Sequence, residues 1–471
     1  MRSLKIYSLP LVSVLFLVAT AGTALALAFT QCPTLPGGSW TQNGDLNSDG
    51  MLRADTCSNP ADVPGGASCE IISPVTPHQV CIHLASGDGY VNMADKTIVE
   101  TNNPYTGEAV GLGEGTRTYM FGFTNVTAYQ QTNVPGLIPA GSAVGDVIPD
   151  ADVAHYATLG MEFPAPTIRV REGDDLYLSL TNVGMFMRPD LFDPHTVHWH
   201  GFANASAIFD GLPDSGIAIS MGATLTYYYR VVEPGTYMYH CHVEAAEHMQ
   251  MGMLGNLYVA PAQDGTSFEY PAGRGRTFDT FAYNDGDGST GYDVGVPIQI
   301  ASFDPVFHAA SELVQPLNFA HMDDKFPMFN GRGYPDNQNP DPLTNTNDNR
   351  FSQRMNARIE ATAGERILLR ITSLSTTSFH TVSAYGLPLQ VVGRGSRQLT
   401  PENYYTTSSV TLGGGESVDV ILDSCGLDNL CGNGDDIPAG TYFFYSTNLE
   451  HLANDREDYG GMLTEIHITP P

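Results

Sequence analysis

The reading turns on one stretch: His240-Cys241-His242-Val243-Glu244-Ala245-Ala246-Glu247-His248-Met249-Gln250-Met251-Gly252-Met253. It follows Gly235-Thr236-Tyr237-Met238-Tyr239, an apolar and aromatic run that predicts a β-strand. Two imidazoles, one thiolate and a weak axial thioether form the ligand set of a blue-copper site. Cys241, His248 and Met253 supply three of these in that order, with Met251 as a second candidate for the axial position. The missing imidazole has to come from another strand. His195, in His195-Thr196-Val197-His198-Trp199-His200-Gly201, is the candidate.

Side-chain parity joins the two stretches. Residues i and i+2 of a strand share a face, and neighbours point to opposite faces. Cys241 therefore faces away from His240 and His242. His198 and His200 share a face, and His195, at odd offsets from both, points the other way. Cys241 and His195 can serve one metal, and His198, His200, His240 and His242 a second site behind it. Cys241 is linked through one peptide unit to a histidine on each side, a short covalent route between the two sites.

Working outward, residues 1–28 read as a secretory signal. Arg2 and Lys5 precede an apolar run, and Ala26-Leu27-Ala28 fits a small-residue cleavage site. Pro10 and Ser13 interrupt that run, which argues against a membrane anchor, and no later segment is apolar for long enough to span a bilayer. The expectation is export, to a periplasmic, extracellular or cell-surface location. The chain holds 51 acidic against 21 basic side chains, a formal net charge of −30. Such a chain repels nucleic acid and anionic membranes. Abundant Gly and Pro and scarce amphipathic helical patterns predict many strands and long loops.

Of seven cysteines, six remain if Cys241 binds copper, enough for three disulfides in an oxidising compartment. Cys425 and Cys431 bracket a short loop and are expected to pair. Cys32, Cys57, Cys69 and Cys81 allow three pairings, and a zinc site from the four is disfavoured by wide spacings. Within the loop-rich extension 29–65, Asp45, Asn47, Asp49, Gly50 and Asp55 are similar to the start of a calcium loop. Thr56 stands where the bidentate acid belongs, so a polar Asx-rich turn is the competing reading.

The first domain is expected over 66–262, with strands near 119–126, 167–170 and 176–180 and a loop insertion at 130–155. A Gly/Asp/Tyr-rich connector, 263–300, leads to a second domain, 301–471. That domain repeats the first. His380-Thr381-Val382-Ser383-Ala384-Tyr385-Gly386 aligns with His195 to Gly201, and Gly440-Thr441-Tyr442-Phe443-Phe444-Tyr445-Ser446-Thr447 with Gly235 to His242. Ser383, Tyr385, Tyr445, Ser446 and Thr447 replace metal-ligand types. Only His380 survives at a ligand position in this alignment. His321, His451 and His467 sit in no motif and read as surface or loop histidines.

These motifs resemble those of the multicopper oxidases. His198-Trp199-His200-Gly201, His240-Cys241-His242, the leading His195 and the intervening Phe209-Asp210-Gly211-Leu212-Pro213 carry the resemblance. It is close over about 160–260 and looser elsewhere. One departure is that His248 lies two residues further from Cys241 than is usual in laccases. The resemblance implies an all-β chain of two cupredoxin-like Greek-key β-sandwich or barrel domains, the first copper-binding and the second degenerate. It implies a laccase-like oxidase with copper as cofactor, oxygen as acceptor, and a small molecule or redox protein as electron donor. It further implies a homo-oligomer, and a proton-supply role for Asp210, whose Asp-Gly is otherwise a turn former. The family's oxygen-reducing cluster draws on four His-x-His pairs, and this chain shows two.

Copper nitrite reductases are the competing resemblance. Phe379-His380 matches the position of their second-domain catalytic histidine. Against them, His198 stands where they carry a catalytic aspartate, and Thr447 where they carry an interface histidine. A third reading is a blue-copper electron carrier, or a surface or filament component, without catalysis.

Overall fold

The computed structural model describes residues 79–94, 117–126, 157–202, 205–344, 351–455 and 460–471, together with the backbone of short strands at 45–46, 51–53, 100–102 and 109–111. The signal segment, Asn47, Asp49, Asp55, Cys32, Cys57, Cys69, the Cys81 side chain and the insertion 130–155 lie outside the described residues. Asp45–Leu46 and Met51–Arg53 pair antiparallel.

In chain order the first domain is built from β1 (Gln79–Asn92), β2 (Arg117–Asn125), β3 (Ala165–Arg171), β4 (Asp175–Gly184), β5 (His198–His200), β6 (Thr224–Arg230), β7 (Gly235–His240), α1 (Ala245–Gln250) and β8 (Leu254–Ala260). One sheet runs β6-β4-β1-β2. The other runs β3-β8-β7-β5, with the two N-terminal strands beyond β3. Alternation explains β6: Tyr227 and Tyr229 are buried while Tyr228 is exposed. It fails for β7, which is buried at every residue. The reason is a second burial surface. Tyr237, Tyr239 and Cys241 enter the core between the sheets with Trp199, Val197, Leu257 and Val259. Met238 and Leu254 turn outward and pack with Phe303, Phe326, Met328 and Leu374 of the second domain.

The second domain contains β11 (Val294–Phe303), α2 (Pro305–Glu312), β12 (Phe326–Phe329), β13 (Ile359–Thr362), β14 (Arg366–Ser373), β15 (His380–Ala384), β16 (Leu389–Arg394), β17 (Ser409–Leu412), β18 (Glu416–Asp423), β19 (Gly440–Ser446) and β20 (Leu463–Thr469). It follows a hairpin of β9 (Phe268–Tyr270) and β10 (Arg276–Phe278). Its sheets run β12-β11-β14-β18-β16 and β13-β20-β19-β15-β17. β11 begins inside the segment expected to be a connector. Its apolar residues pair in parallel with β14 from Val294 onward, so this sheet starts before residue 301.

Buried polar groups fasten the domains together. Thr236 of β7 donates to Asp419 of β18 (2.6 Å), and Arg370 of β14 donates to Thr236 Oγ1 (2.9 Å). The Tyr283 hydroxyl also donates to Asp419. Arg370 and Asp419 lie 3.9 Å apart and are both buried. Losing one member of such a buried pair costs about 3–5 kcal/mol, because the other is left uncompensated. α2 starts on an Asp304 cap that accepts from the Val306 and Phe307 N–H groups, with Pro305 in its first turn. It carries His308 between the carbonyls of Tyr119 and Gln250, behind the ligand loop. Cys425 and Cys431 form a disulfide, as their spacing predicts.

Candidate metal centre

Strand parity places the histidines and Cys241 as the sequence requires. β5 pairs with β7, His198 opposite His240 and His200 opposite Met238. Cys241, just past β7, is fully buried on the inner side and is the one free cysteine among the described residues. His195 is fixed by a two-way backbone bridge to Ile219 (3.0 and 2.9 Å). Asn182 ties this region by donating to the carbonyls of Asp193 and Ile219, 2.9 Å each.

The loop between Cys241 and Met253 contains the helical turn α1. Glu244 adopts a left-handed conformation before it. The loop then closes on itself, with the Met253 N–H donating to the His248 carbonyl (2.8 Å) and the Cys241 N–H to the Met253 carbonyl (3.2 Å).

Cys241 Sγ lies 3.1 Å from His248 Nδ1 and 3.8 Å from His195 Nδ1. The longer distance exceeds an ordinary hydrogen bond. It matches the separation of about 3.8 Å expected for sulfur and nitrogen bound to one metal at a trigonal angle with bonds of about 2.0–2.3 Å. The Thr196 N–H donates to Sγ (3.4 Å). Burial alone would push the Cys241 thiol up, but the His248 charge and hydrogen bonds from His195 and His248 outweigh it and hold the thiol well below its usual range. Burial would lower His248. Its neighbours Cys241 and Asp193 instead hold it up at about 10. A thiolate among imidazoles, with Met251 and Met253 fully buried in the same core, fits copper. Asp193, 3.9 Å from His248 Nε2, is a neighbour that the sequence did not single out. Glu244 joins it there, while Glu247 is buried.

Behind Cys241, one ring nitrogen from each of His198, His200 and His240 lies within 4.8 Å of the others. His242 stands beside them, its ring centre 5.0 Å from that of His198 and 5.5 Å from that of His240. His198 and His240 are anchored from behind. His198 Nδ1 donates to the Asp210 carbonyl (2.6 Å), with the Asp210 carboxylate at 3.6 Å. His240 Nδ1 donates to the Cys241 carbonyl (2.7 Å). The ring of His200 lies against Gly415 of the second domain, where an added Cβ would meet its Nδ1 at 2.9 Å. Carbonyls only accept, so the anchored nitrogen keeps its proton and the opposite one offers a lone pair. His240 Nε2 is buried with no hydrogen-bond partner, an orphan acceptor that a metal would satisfy. Burial, then the neighbouring imidazoles, push His240 down to about 3 and lower His200, which keeps both neutral.

In the second domain the repeat alignment holds at the level of pairing, with Ser383 opposite Tyr445 and Ala384 opposite Phe444. The structure places His451, read from the sequence as a surface or loop histidine, half-buried beside His380. His380 Nδ1 lies 3.2 Å from Nδ1 of His451. Loop length hid this partner, because a short turn at Leu449–Leu452 stands where the first domain has α1. His321 is exposed, and His467 pairs with Glu465 (2.8 Å).

Two family models, each described as multicopper oxidase, match residues 143–264 and 307–426, together just over half of the chain. A 91-residue stretch is 40% identical to the multicopper oxidase MmcO of Mycobacterium tuberculosis, covering 19% of this chain and 16% of that protein. Over 108 residues the chain is 35% identical to the L-ascorbate oxidase of Cucurbita pepo var. melopepo, 22% of this chain and 17% of that one. Over 110 residues it is 31% identical to the copper-containing nitrite reductase of Neisseria gonorrhoeae, 23% of this chain and 26% of that one. The chain thus spans well under a third of these relatives' length. The blue copper oxidase of Nitrosomonas europaea superposes with a TM-score of 0.52 at 20% identity, over 82% of this chain and 85% of that one. That likeness shows the fold, a pair of cupredoxin-like sandwiches.

Proposed function

The chain belongs to the multicopper oxidase family, and from that premise we propose that it is a secreted copper oxidoreductase. It takes single electrons from a reductant at the surface of the first domain and delivers them to oxygen at the outer histidines. The observation that carries this reading is the buried sulfur of Cys241, which lies between His195 and His248 and is linked through its own backbone to His240 and His242.

His195, Cys241, His248 and Met253 would hold one copper, which would supply one-electron chemistry, and His198, His200, His240 and His242 would hold further copper for the reduction of the acceptor. The protein's own part is to orient and exclude. The Thr196 N–H stabilises negative charge on Sγ, and Phe121 packs edge-on against His248 with ring centres 5.8 Å apart. The reductant is received at the loop around Asp193, where Phe186 and Phe192 are exposed, 63% and 69%. This surface suits an aromatic donor. Asp210 holds the proton of His198 Nδ1 in place through its carbonyl, and its carboxylate supplies protons to the outer site. No described helix is long and apolar enough to cross a membrane. In a homo-oligomer, a further copy packs on the second domain where Tyr385 and Phe443 are exposed.

The test is copper per chain after loading, with visible absorption, electron paramagnetic resonance and oxygen uptake on one sample. The expected result is one blue copper, additional copper with a different signal, and oxygen consumption driven by a phenolic reductant. A single blue copper with no oxygen uptake would leave an electron carrier. Nitrite turnover without oxygen uptake would leave a nitrite reductase.

A further inference from the structure

The hydrogen-bond frame of the ligand loop recurs in the second domain. In the first, the Cys241 N–H donates to the Met253 carbonyl (3.2 Å) and the Met253 N–H to the His248 carbonyl (2.8 Å). In the second, the Ser446 N–H donates to the Met462 carbonyl (2.9 Å) and the Met462 N–H to the His451 carbonyl (2.7 Å). This frame, with the strand register, equates His380 with His195, Ser446 with Cys241, His451 with His248 and Met462 with Met253. One ligand type has changed: serine replaces the cysteine. His380, Ser446 and Met462 are almost fully buried, and His451 is half-buried. The ring nitrogens turned inward are Nδ1 in both domains.

We propose that the second domain holds its own copper(I) ion, bound by His380, His451 and Met462, with the Ser446 hydroxyl in place of the thiolate. It rests on the first-domain centre being a copper site, since that centre is the template. The 3.2 Å between the two Nδ1 atoms is close to the separation of about 3.3 Å set by a tetrahedral angle and metal–imidazole bonds of about 2.0–2.1 Å. His380 Nε2 donates to Ser375 Oγ (3.0 Å), which leaves its Nδ1 as a lone pair. Burial and the neighbouring His451 push His380 down to about 3, so its ring is neutral.

His451 is poised less well. Asn448 donates to its Nε2 (3.1 Å) while accepting from the Glu450 N–H (3.1 Å), an arrangement that leaves the proton on Nδ1. Binding therefore turns the Asn448 amide, so that its oxygen receives Nε2–H. The bond given up is an exposed one, whose N–H passes to water. The ligand chemistry selects the ion. A thioether is soft, and all the ligands are neutral, so a buried divalent charge would go uncompensated where a monovalent one is tolerated.

The test is anaerobic loading with copper(I) against a copper(I) chelator, with elemental counting, followed by one-electron oxidation of the loaded protein with ferricyanide and visible absorption on the oxidised sample. Relative to the wild type, the His380→Ala/His451→Ala variant is expected to bind one copper fewer per chain, with its blue absorption unchanged. A second variant, Cys241→Ser/Ser446→Cys, moves the thiolate from one domain to the other, and is expected to be blue although the first-domain site has lost its sulfur. An unchanged copper count, or a folded but colourless Cys241→Ser/Ser446→Cys protein, overturns the proposal. A wild type that is not blue defeats instead the reading of the first domain.

Discussion

Replacing Cys241 with serine removes the partner that keeps a proton on His248. In the metal-free folded protein the thiol is held down and His248 is raised to about 10, so the two exist as thiolate and imidazolium. In the unfolded chain the ordinary values are about 6.5 for the imidazole and about 8.5 for the thiol. Between those two values, folded and unfolded chains carry one proton each on the pair, and its contribution is flat with pH. Between about 8.5 and 10 the unfolded pair holds none and the folded pair still holds one. Stability then falls with rising pH by about 1.4 kcal/mol per unit, about 2 kcal/mol in total by pH 10. Below about 6.5 the unfolded pair holds two protons against one, and stability falls as pH falls. The serine variant lacks the thiolate, so His248 is held up less, by Asp193 and Glu247 alone, and the alkaline decline is smaller. Urea unfolding of both metal-free proteins from pH 6 to 10 measures this. The wild-type advantage is expected to be level near neutrality and to shrink above pH 8.5. An advantage that stays constant to pH 10 would refute the imidazolium at His248.

Replacing Met253 with leucine should change the visible spectrum and raise the potential of the blue centre, whereas Met251→Leu should leave the spectrum alone; the reverse pattern moves the axial role to Met251. Gly415→Ala places a Cβ about 2.7 Å from the His200 ring at a positive φ, and should lower copper at the outer site while the blue absorption persists. Arg370→Met strands Asp419 between the domains and should destabilise by about 3–5 kcal/mol in urea unfolding. Asp193→Asn removes a carboxylate beside His248 and should lower the imidazole's pKa from about 10 in a nuclear magnetic resonance titration of the metal-free protein.

What was legible in the sequence was what period-two geometry dictates. Cys241 and His195 meet on one side and His198, His200 and His240 on the other, as parity carried just past the ends of the strands implies. The Cys425–Cys431 pairing was legible from separation alone. Less legible was anything set by loop length. His451 lies five residues past Ser446 where His248 lies seven past Cys241, and only the backbone frame through Met462 exposes the equivalence. The start of β11 was hidden in a Gly- and Asp-rich neighbourhood, since its partner β14 lies some seventy residues on. Asp193, Thr196 and Gly415 carry no motif, and their roles arise from which surfaces meet.

The meeting of Gly415 with His200 has a consequence for the two halves of the chain. The second domain lends the outer site a piece of its wall, although it contributes no histidine there. A first domain cut loose from the second would keep His195, Cys241 and His248 together with His198, His200, His240 and His242, and yet lose the backbone that covers the His200 ring. The half of the chain without a cysteine at this position thus still serves the other half, as a wall against its outer histidines.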